Sequence, residues 1–310
     1  MSIQVYDDVI LSKNVIRAGA SGRMTRANDR SIAPSGFASV NAVRDVTLRE
    51  YLFGVKPMLL PFWAKVRAIW NITDSGAFGF LIQDPTNPAV TVDLSGLQGY
   101  MAGVEFGTVG FGNGCPTYGL RQLEKADSST RVYAQAVTRL KGAPMIYRGG
   151  TPLTVGVAAG NIAISAGPSY VTFVADATRT VSAVTVGATT QVTLNSAIGV
   201  VIGGRLWLQG LTGADAALLN NQSHQVTAIT GAGLNVYTLA TNTAGKTITV
   251  GTGQGRKYPQ PDESLTWAGE FYVPVQFAED ELNWELVRPG HDDDRLVAGP
   301  STTLIEIREA

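Results

Sequence analysis

His224 and His291 are the only side chains of this 310-residue chain whose ordinary pKa lies near neutrality, so general acid–base chemistry would have to start with them. His224 opens residues 224–229 (HQVTAI), with no acid or serine pattern beside it, and reads as a structural or surface residue. His291 heads the run His291, Asp292, Asp293, Asp294, and clustered carboxylates are what a hard cation prefers. Consecutive residues project in different directions, however, and Pro289-Gly290 marks a turn, so a solvated loop is favoured over a metal site. Glu279, Asp280 and Glu281 read the same way. Residues 110–114 (GFGNG) and 251–255 (GTGQG) resemble pieces of phosphate-binding loops. Neither is followed by the helix-forming pattern that would bring a helix N-terminus to the phosphate. The first reads as a flexible loop. Cys115 alone permits neither an intramolecular disulfide nor a cysteine-built metal site. Trp207 and Tyr237 are open to two readings, core aromatics or exposed platforms on which a sugar ring stacks. No catalytic constellation emerges, and no enzyme activity, cofactor or metal is expected.

The elements available to position these side chains are almost all strands. The exception lies in residues 57–72, where Leu59, Phe62, Trp63, Val66, Ile69 and Trp70 fall at helical spacing on one apolar stripe. Pro57 suits a first turn, but Pro61 has no N–H to give, so the helix starts near Leu60 or has a loose first turn. Residues 73–76 (TDSG) end it, and residues 78–83 (FGFLIQ) read as a strand stopped by Asp84-Pro85. A helix with two tryptophans needs a large apolar partner, and only strands are on offer. Residues 3–10 and 42–53 read as strands. Residues 12–41, rich in Gly, Ser, Arg and Asn, are either a long surface loop or an arm ordered against a neighbouring subunit. Residues 94–116 form a second irregular stretch. Short strands follow at 131–140, 144–148, 153–155, 161–164 and 170–174.

Between Ala183 and Gly253 only Arg205, Asp215 and Lys246 are charged, and strands are expected at 191–194, 205–209, 224–229, 235–239 and 246–250. That pattern suits a small β-barrel or sandwich of its own. The strongest alternation in the chain comes after it, with Leu265, Trp267, Phe271, Val273, Val275 and Phe277 on one face. Residues 282–286 and 305–308 alternate too. The expected fold is therefore mainly β: a β-sandwich from residues 1–176 and 262–310 with one packed α-helix, interrupted by an inserted β domain at 177–261. The 24 basic and 25 acidic residues nearly cancel, so no global field draws nucleic acid or an anionic membrane. No run of about 18 apolar residues suggests a membrane span. The first residues lack a basic region followed by an apolar one, so no signal peptide is expected, and synthesis in a reducing cytosol is.

Several of these pieces, taken in order, resemble a known family. The helix running into residues 78–84 (FGFLIQD), then 118–125 (YGLRQLEK) and 139–150 (RLKGAPMIYRGG), and finally 267–280 (WAGEFYVPVQFAED) closing on 304–308 (LIEIR), are similar to the distal tail proteins of long-tailed, siphovirus-like phages and gene-transfer agents. The likeness covers most of 55–175 and 265–309. Residues 12–50 depart from the family's pattern, and the insertion resembles small β modules of phage tail and fibre proteins, most visibly at 211–223 (LTGADAALLNNQS). The resemblance implies a structural protein of the virion's tail tip, assembled in the host cytoplasm as a ring, usually hexameric, at the distal end of the tail tube. One side would meet the tail tube protein and the other the baseplate hub protein. The tape-measure protein and then DNA would pass through the channel it lines, without sequence-specific binding and without membrane insertion. Arg17, Arg23, Arg26 and Arg30 are expected to pair with carboxylates of the neighbouring subunit. The alternative is a host-adhesion or carbohydrate-binding baseplate module carried by the insertion, with Trp207 and Tyr237 as glycan contacts.

Overall fold

The chain is mainly β and divides into two units, residues 1–89 with 270–310, and residues 90–269. The computed structural model describes residues 3–17, 20–32, 34, 37–44, 46–54, 56–127, 129–288, 295–298 and 302–309, without the side chains of Asn14 and Arg17. The division falls within the strand Leu265–Phe277.

In the first unit the strands run in the order Val5–Leu11, Gly79–Ile82, Leu265–Phe277, Thr302–Glu306, Leu48–Phe53, Ser21–Thr25. Val5–Leu11 pairs parallel to Gly79–Ile82, and the other neighbours are antiparallel. Alternation does what the sequence requires of it, since Phe271, Val273, Val275 and Phe277 are all buried. The long helix, Leu60–Ile72, buries Trp63, Val66 and Ile69. Trp70 meets Phe277 edge-on at 5.0 Å, and Phe277 in turn lies 5.0 Å from Phe80. Pro61 falls in the first turn, where an N–H would have no partner, so the helix begins at Leu60 without a break. Thr73 ends it by donating both its N–H and its hydroxyl to the Ile69 carbonyl, at 2.8 and 2.9 Å. The chain then reverses at Gly76, whose φ of +97° favours glycine; a Cβ there would lie 2.6 Å from the Phe277 carbonyl oxygen.

A buried polar network ties the sheet's strands together. The Tyr51 hydroxyl donates to Asp84 Oδ2 at 2.8 Å, and Asp84 Oδ1 accepts the Thr86 N–H at 2.8 Å and the Thr86 hydroxyl at 2.7 Å. Arg49 Nε stands 3.7 Å from Asp84 Oδ2. Burial alone would raise the Asp84 carboxyl, but the Thr86 and Tyr51 hydrogen bonds hold it below the usual range. Burial, with Asp84 beside it, pushes the Tyr51 phenol well up.

Residues 12–41, expected as loop or arm, contain the short helix Lys13–Arg17, with Val15 and Ile16 buried, the edge strand Ser21–Thr25, and the hairpin strands Asn28–Ile32 and Ala38–Ala42. The uninterrupted-loop reading fails because polar and small residues form strands where backbone pairing, rather than side-chain burial, organises them.

The second unit holds a sheet ordered Val104–Phe106, Ser95–Met101, Thr117–Lys125, Tyr170–Phe173, Ile162–Ile164, with Val132–Val137 also paired to Thr117–Lys125. It also holds a closed six-stranded barrel, Ala177–Thr185, Thr190–Leu194, Val236–Leu239, Gln222–Thr230, Arg205–Gln209 and Gln254–Lys257, which returns to Ala177–Thr185. Val181, Val192, Leu194, Leu206, Leu208, Val226 and Leu239 fill the barrel core. Residues 246–250 are not the expected strand and contribute one isolated bridge, Thr212 to Thr249. Ala177–Thr185 and Gln254–Lys257 close the barrel in their place. Residues 94–116 are irregular only in part, since Ser95–Met101 and Val104–Phe106 form a hairpin and residues 107–116 hold no strand beyond an isolated bridge at Phe111.

Candidate functional site

The four expected contact arginines do not share one fate. Antiparallel register puts Arg23 directly opposite Glu50, and its Nε donates to Glu50 Oε2 at 3.0 Å. Arg26 Nε donates to Thr47 Oγ1 at 2.7 Å. Both are engaged within their own chain, and the Arg23 side chain is 73 % exposed. Arg30 lies opposite Val40 on the hairpin, exposed, and the side chain of Arg17 is outside the described residues. Large apolar side chains are exposed in this region alongside the polar ones. Both hairpin strands are exposed along their whole length, with Ile32 at 70 % and Phe37, at the turn, at 80 % exposure. Met24, Val40 and Val43 are exposed as well.

The aromatic platforms of the insertion are not platforms. Tyr237 is 1 % exposed within the barrel core, and its hydroxyl oxygen accepts the Ile198 N–H at 3.0 Å. Trp207 sits between Leu206 and Leu208, whose side chains point into the core, so alternation sends its own ring outward. It is nevertheless 6 % exposed and meets Tyr258, just past the barrel's last strand, edge-on at 6.0 Å. Neither ring has an open face on which a sugar could stack, which overturns the glycan-contact expectation for both.

His224 is a structural residue. Its Nε2 stands 2.9 Å from the Leu219 carbonyl, which only accepts, so Nε2 carries the hydrogen; Nδ1 accepts the Thr241 hydroxyl at 2.7 Å. Burial pushes its pKa down and keeps the ring neutral. His291 and Asp292 to Asp294 lie outside the described residues. Glu279 is occupied, accepting the Thr302 hydroxyl at 3.0 Å and the Thr303 N–H at 2.9 Å. Burial raises the Cys115 thiol to about 11, far from a reactive thiolate. Among the described residues no group of three or more His, Cys, Asp or Glu could hold a metal ion, and no helix is long and apolar enough to cross a membrane.

Both glycine-rich stretches have a packing role instead of a phosphate. At residues 251–255 a Cβ on Gly253 would lie 2.7 Å from Leu211 Cδ2 and one on Gly255 2.9 Å from Leu194 Cδ2, so these positions let the barrel close over its core. Residues 110–114 form a seat for the barrel rather than a flexible loop. The Gly112 N–H donates to the Glu263 carbonyl at 3.0 Å and the Gly114 N–H to the Pro259 carbonyl at 2.9 Å. The Ser223 hydroxyl, on the barrel, donates to the Asn113 carbonyl at 2.7 Å. A Cβ on Gly112 would lie 2.5 Å from the Pro259 carbonyl oxygen, and one on Gly114 2.8 Å from Ser223 Oγ. Gln260 completes the seat: its Oε1 accepts the Arg205 N–H at 2.7 Å and its Nε2 donates to the Arg205 carbonyl at 3.0 Å.

Arg148, at the end of strand Arg139–Arg148, grips both stems of the barrel. Nη1 and Nη2 donate to the two Asp176 oxygens at 2.7 Å each, and Nη2 also lies 2.8 Å from both Glu263 oxygens. Burial would lower the guanidinium's pKa, but the hydrogen bonds to Asp176 and Glu263 raise it above its ordinary value. These seat residues were not anticipated. The available signal was glycine at every second position from Gly110 to Gly114, a pattern that marks close backbone approach as readily as a turn. No protein-family model matches the chain, and no curated protein matches it either.

Proposed function

We propose that the chain is a structural tail protein that self-assembles into a ring at the distal end of a phage tail tube, joining tube to baseplate hub. The resemblance of its helix–strand, 118–150 and 267–308 blocks to distal tail proteins supplies the role, and the usual six copies. The observation that carries self-assembly is the exposed hairpin Asn28–Ile32 and Ala38–Ala42. An isolated two-stranded hairpin is marginal in water, and this one displays Ile32, Phe37 and Val40, which are 70 %, 80 % and 52 % exposed. Covering Phe37 and Ile32 on a neighbour would contribute about 1.5–3 kcal/mol each. A head-to-tail contact of this kind closes into a ring when its repeated rotation returns to the first copy. The near-zero net charge, −1 at pH 7, suits a channel wall that passes DNA without gripping phosphate. The adhesion alternative loses its two aromatic contacts to burial.

Light scattering across a concentration series tests the reading, on the wild-type chain and on the double variant Ile32→Ser, Phe37→Ser. The expected result is a closed oligomer of fixed mass for the wild type and a folded monomer for the variant. A wild-type chain that stays monomeric throughout, or a variant that assembles as well as the wild type, would overturn self-assembly through the hairpin.

A further inference from the structure

The barrel's connection to its unit runs through two stems, one on each side of its first and last strands. Asp176 immediately precedes Ala177–Thr185, and Glu263 follows Gln254–Lys257 across the turn at 258–262. The stems are tied to each other by the Asp176 N–H, which donates to the Lys257 carbonyl at 2.9 Å. Both carry a carboxylate, and both carboxylates converge on the Arg148 guanidinium, whose side chain is 15 % exposed. Without that cation, two like charges would be left facing each other at the root of the barrel.

We propose that Arg148 is a latch that fixes the barrel's attitude on residues 90–176, so that the barrel is a rigidly mounted arm rather than a module swinging on its stems. The planar fork is suited to this because it binds Asp176 through two parallel hydrogen bonds and reaches Glu263 with the same Nη2. Glu263 passes the constraint on. Its Oε2 accepts the Gln260 N–H at 2.5 Å, and the Gln260 side chain is bonded to both the N–H and the carbonyl of Arg205 on the barrel. A continuous chain of hydrogen bonds therefore links Arg148 to a barrel strand, beside the backbone bonds of Gly112 and Gly114. None of this depends on the ring reading.

Hydrogen exchange on the full chain tests the latch, because its two groups of amides answer differently. The seat amides are Gly112, Gly114, Gly149 and Asp176, bonded to Glu263, Pro259, Ser264 and Lys257 respectively; Leu194 and Val226 report the barrel interior. In Arg148→Ala the seat amides should exchange at least about tenfold faster, while the barrel amides stay within about twofold of the wild type. Arg148→Lys, which keeps the charge without the fork, should fall between the two. Glu263→Gln, a milder change that leaves the fork on Asp176, should show the same seat-only pattern at smaller size. If none of the three variants accelerates the seat, backbone contacts alone hold the barrel and the latch is refuted. Equal acceleration of seat and barrel amides also refutes it, since Arg148 would then be a general stabiliser of the unit.

Discussion

One chemical change made at two glycines should have opposite signs. A methyl group at Gly112 would lie 2.5 Å from the Pro259 carbonyl oxygen and closer still to that of Gln260, whereas an ordinary contact begins at 3.4 Å. Both obstacles are backbone, so the stem must move by about 1 Å, and overpacking of that kind costs about 1–3 kcal/mol. The shift also strains the Gly112 to Glu263 and Gly114 to Pro259 bonds, each contributing about 0.5–1.5 kcal/mol. Reduced freedom of the unfolded chain offsets about 0.4–1 kcal/mol. Gly112→Ala should therefore destabilise the second unit by about 2–3 kcal/mol, the packing penalty and weakened bonds outweighing the entropy gain. Gly233 has no neighbour closer than 3.6 Å, Asn235 Oδ1, and does not need a positive φ. There the same substitution should stabilise by about 0.4–1 kcal/mol. Calorimetry of the full chain reads the contrast as a separation of several degrees, at about 2–4 °C per kcal/mol for a unit of this size. If the two variants melt within a degree of each other, residues 110–114 do not seat the barrel.

Three further perturbations have defined outcomes. Because burial lowers the folded-state pKa of His224, the unfolded chain takes up a proton that the folded chain refuses as pH falls below about 6.5. Barrel stability should be full above that pH and decline toward pH 5, and His224→Gln should flatten the decline while costing about 1–3 kcal/mol at pH 7 through the disturbed bonds to Leu219 and Thr241, both readable by urea titration. Tyr51→Phe strips a donor from the buried Asp84 carboxylate and should destabilise the first unit by about 1.5–3 kcal/mol in the same assay. Asp84 has its folded pKa depressed, so its contribution is present above about pH 4 and is lost as pH falls through the folded value; Asp84→Asn should remove that acid-limb dependence.

How much was legible in the residues followed from side-chain periodicity. Residues 265–277 alternate apolar and polar, and Leu265, Trp267, Phe271, Val273, Val275 and Phe277 are all buried. The helix stripe was readable at Trp63, Val66 and Ile69, which are buried, while Leu59 precedes the helix and is exposed; of the two starts open to it, the helix begins at Leu60. Stretches whose strands are held by backbone pairing and glycine were not. Ser95–Met101 carries two glycines, and Ala177–Thr185 and Gln254–Lys257 are polar enough outside the barrel to hide their pattern. Trp207 shows a different limit. Its outward position could be read from the alternation of Arg205–Gln209, but its cover comes from Tyr258 about 50 residues later. Burial by a distant part of the chain has no local signature. The seat failed to announce itself for the same reason, since Gly112 is defined by backbone approaching from 259 and 260, and Gly114 by the Arg205 and Ser223 side chains.

That geometry changes how the barrel's role must be tested. Cutting out residues 177–261 would remove Ser223 from the Asn113 carbonyl, Pro259 from the Gly114 N–H, and the first stem's tie at Lys257. It would leave Arg148 with its carboxylates on two newly joined ends. A truncated chain that failed to form rings would then report damage to residues 90–176 and not a structural duty of the barrel. Substitutions on the barrel's exposed residues avoid this ambiguity, because they leave the seat and the latch in place. Val201 and Ile202, 60 % and 63 % exposed, can be made polar at a cost usually within about 0.5 kcal/mol. If, on the proposed tail-ring role, such variants assemble normally and change only what the particle attaches to, the barrel serves recognition. If assembly itself weakens, the barrel's outer surface is part of the particle's own contacts.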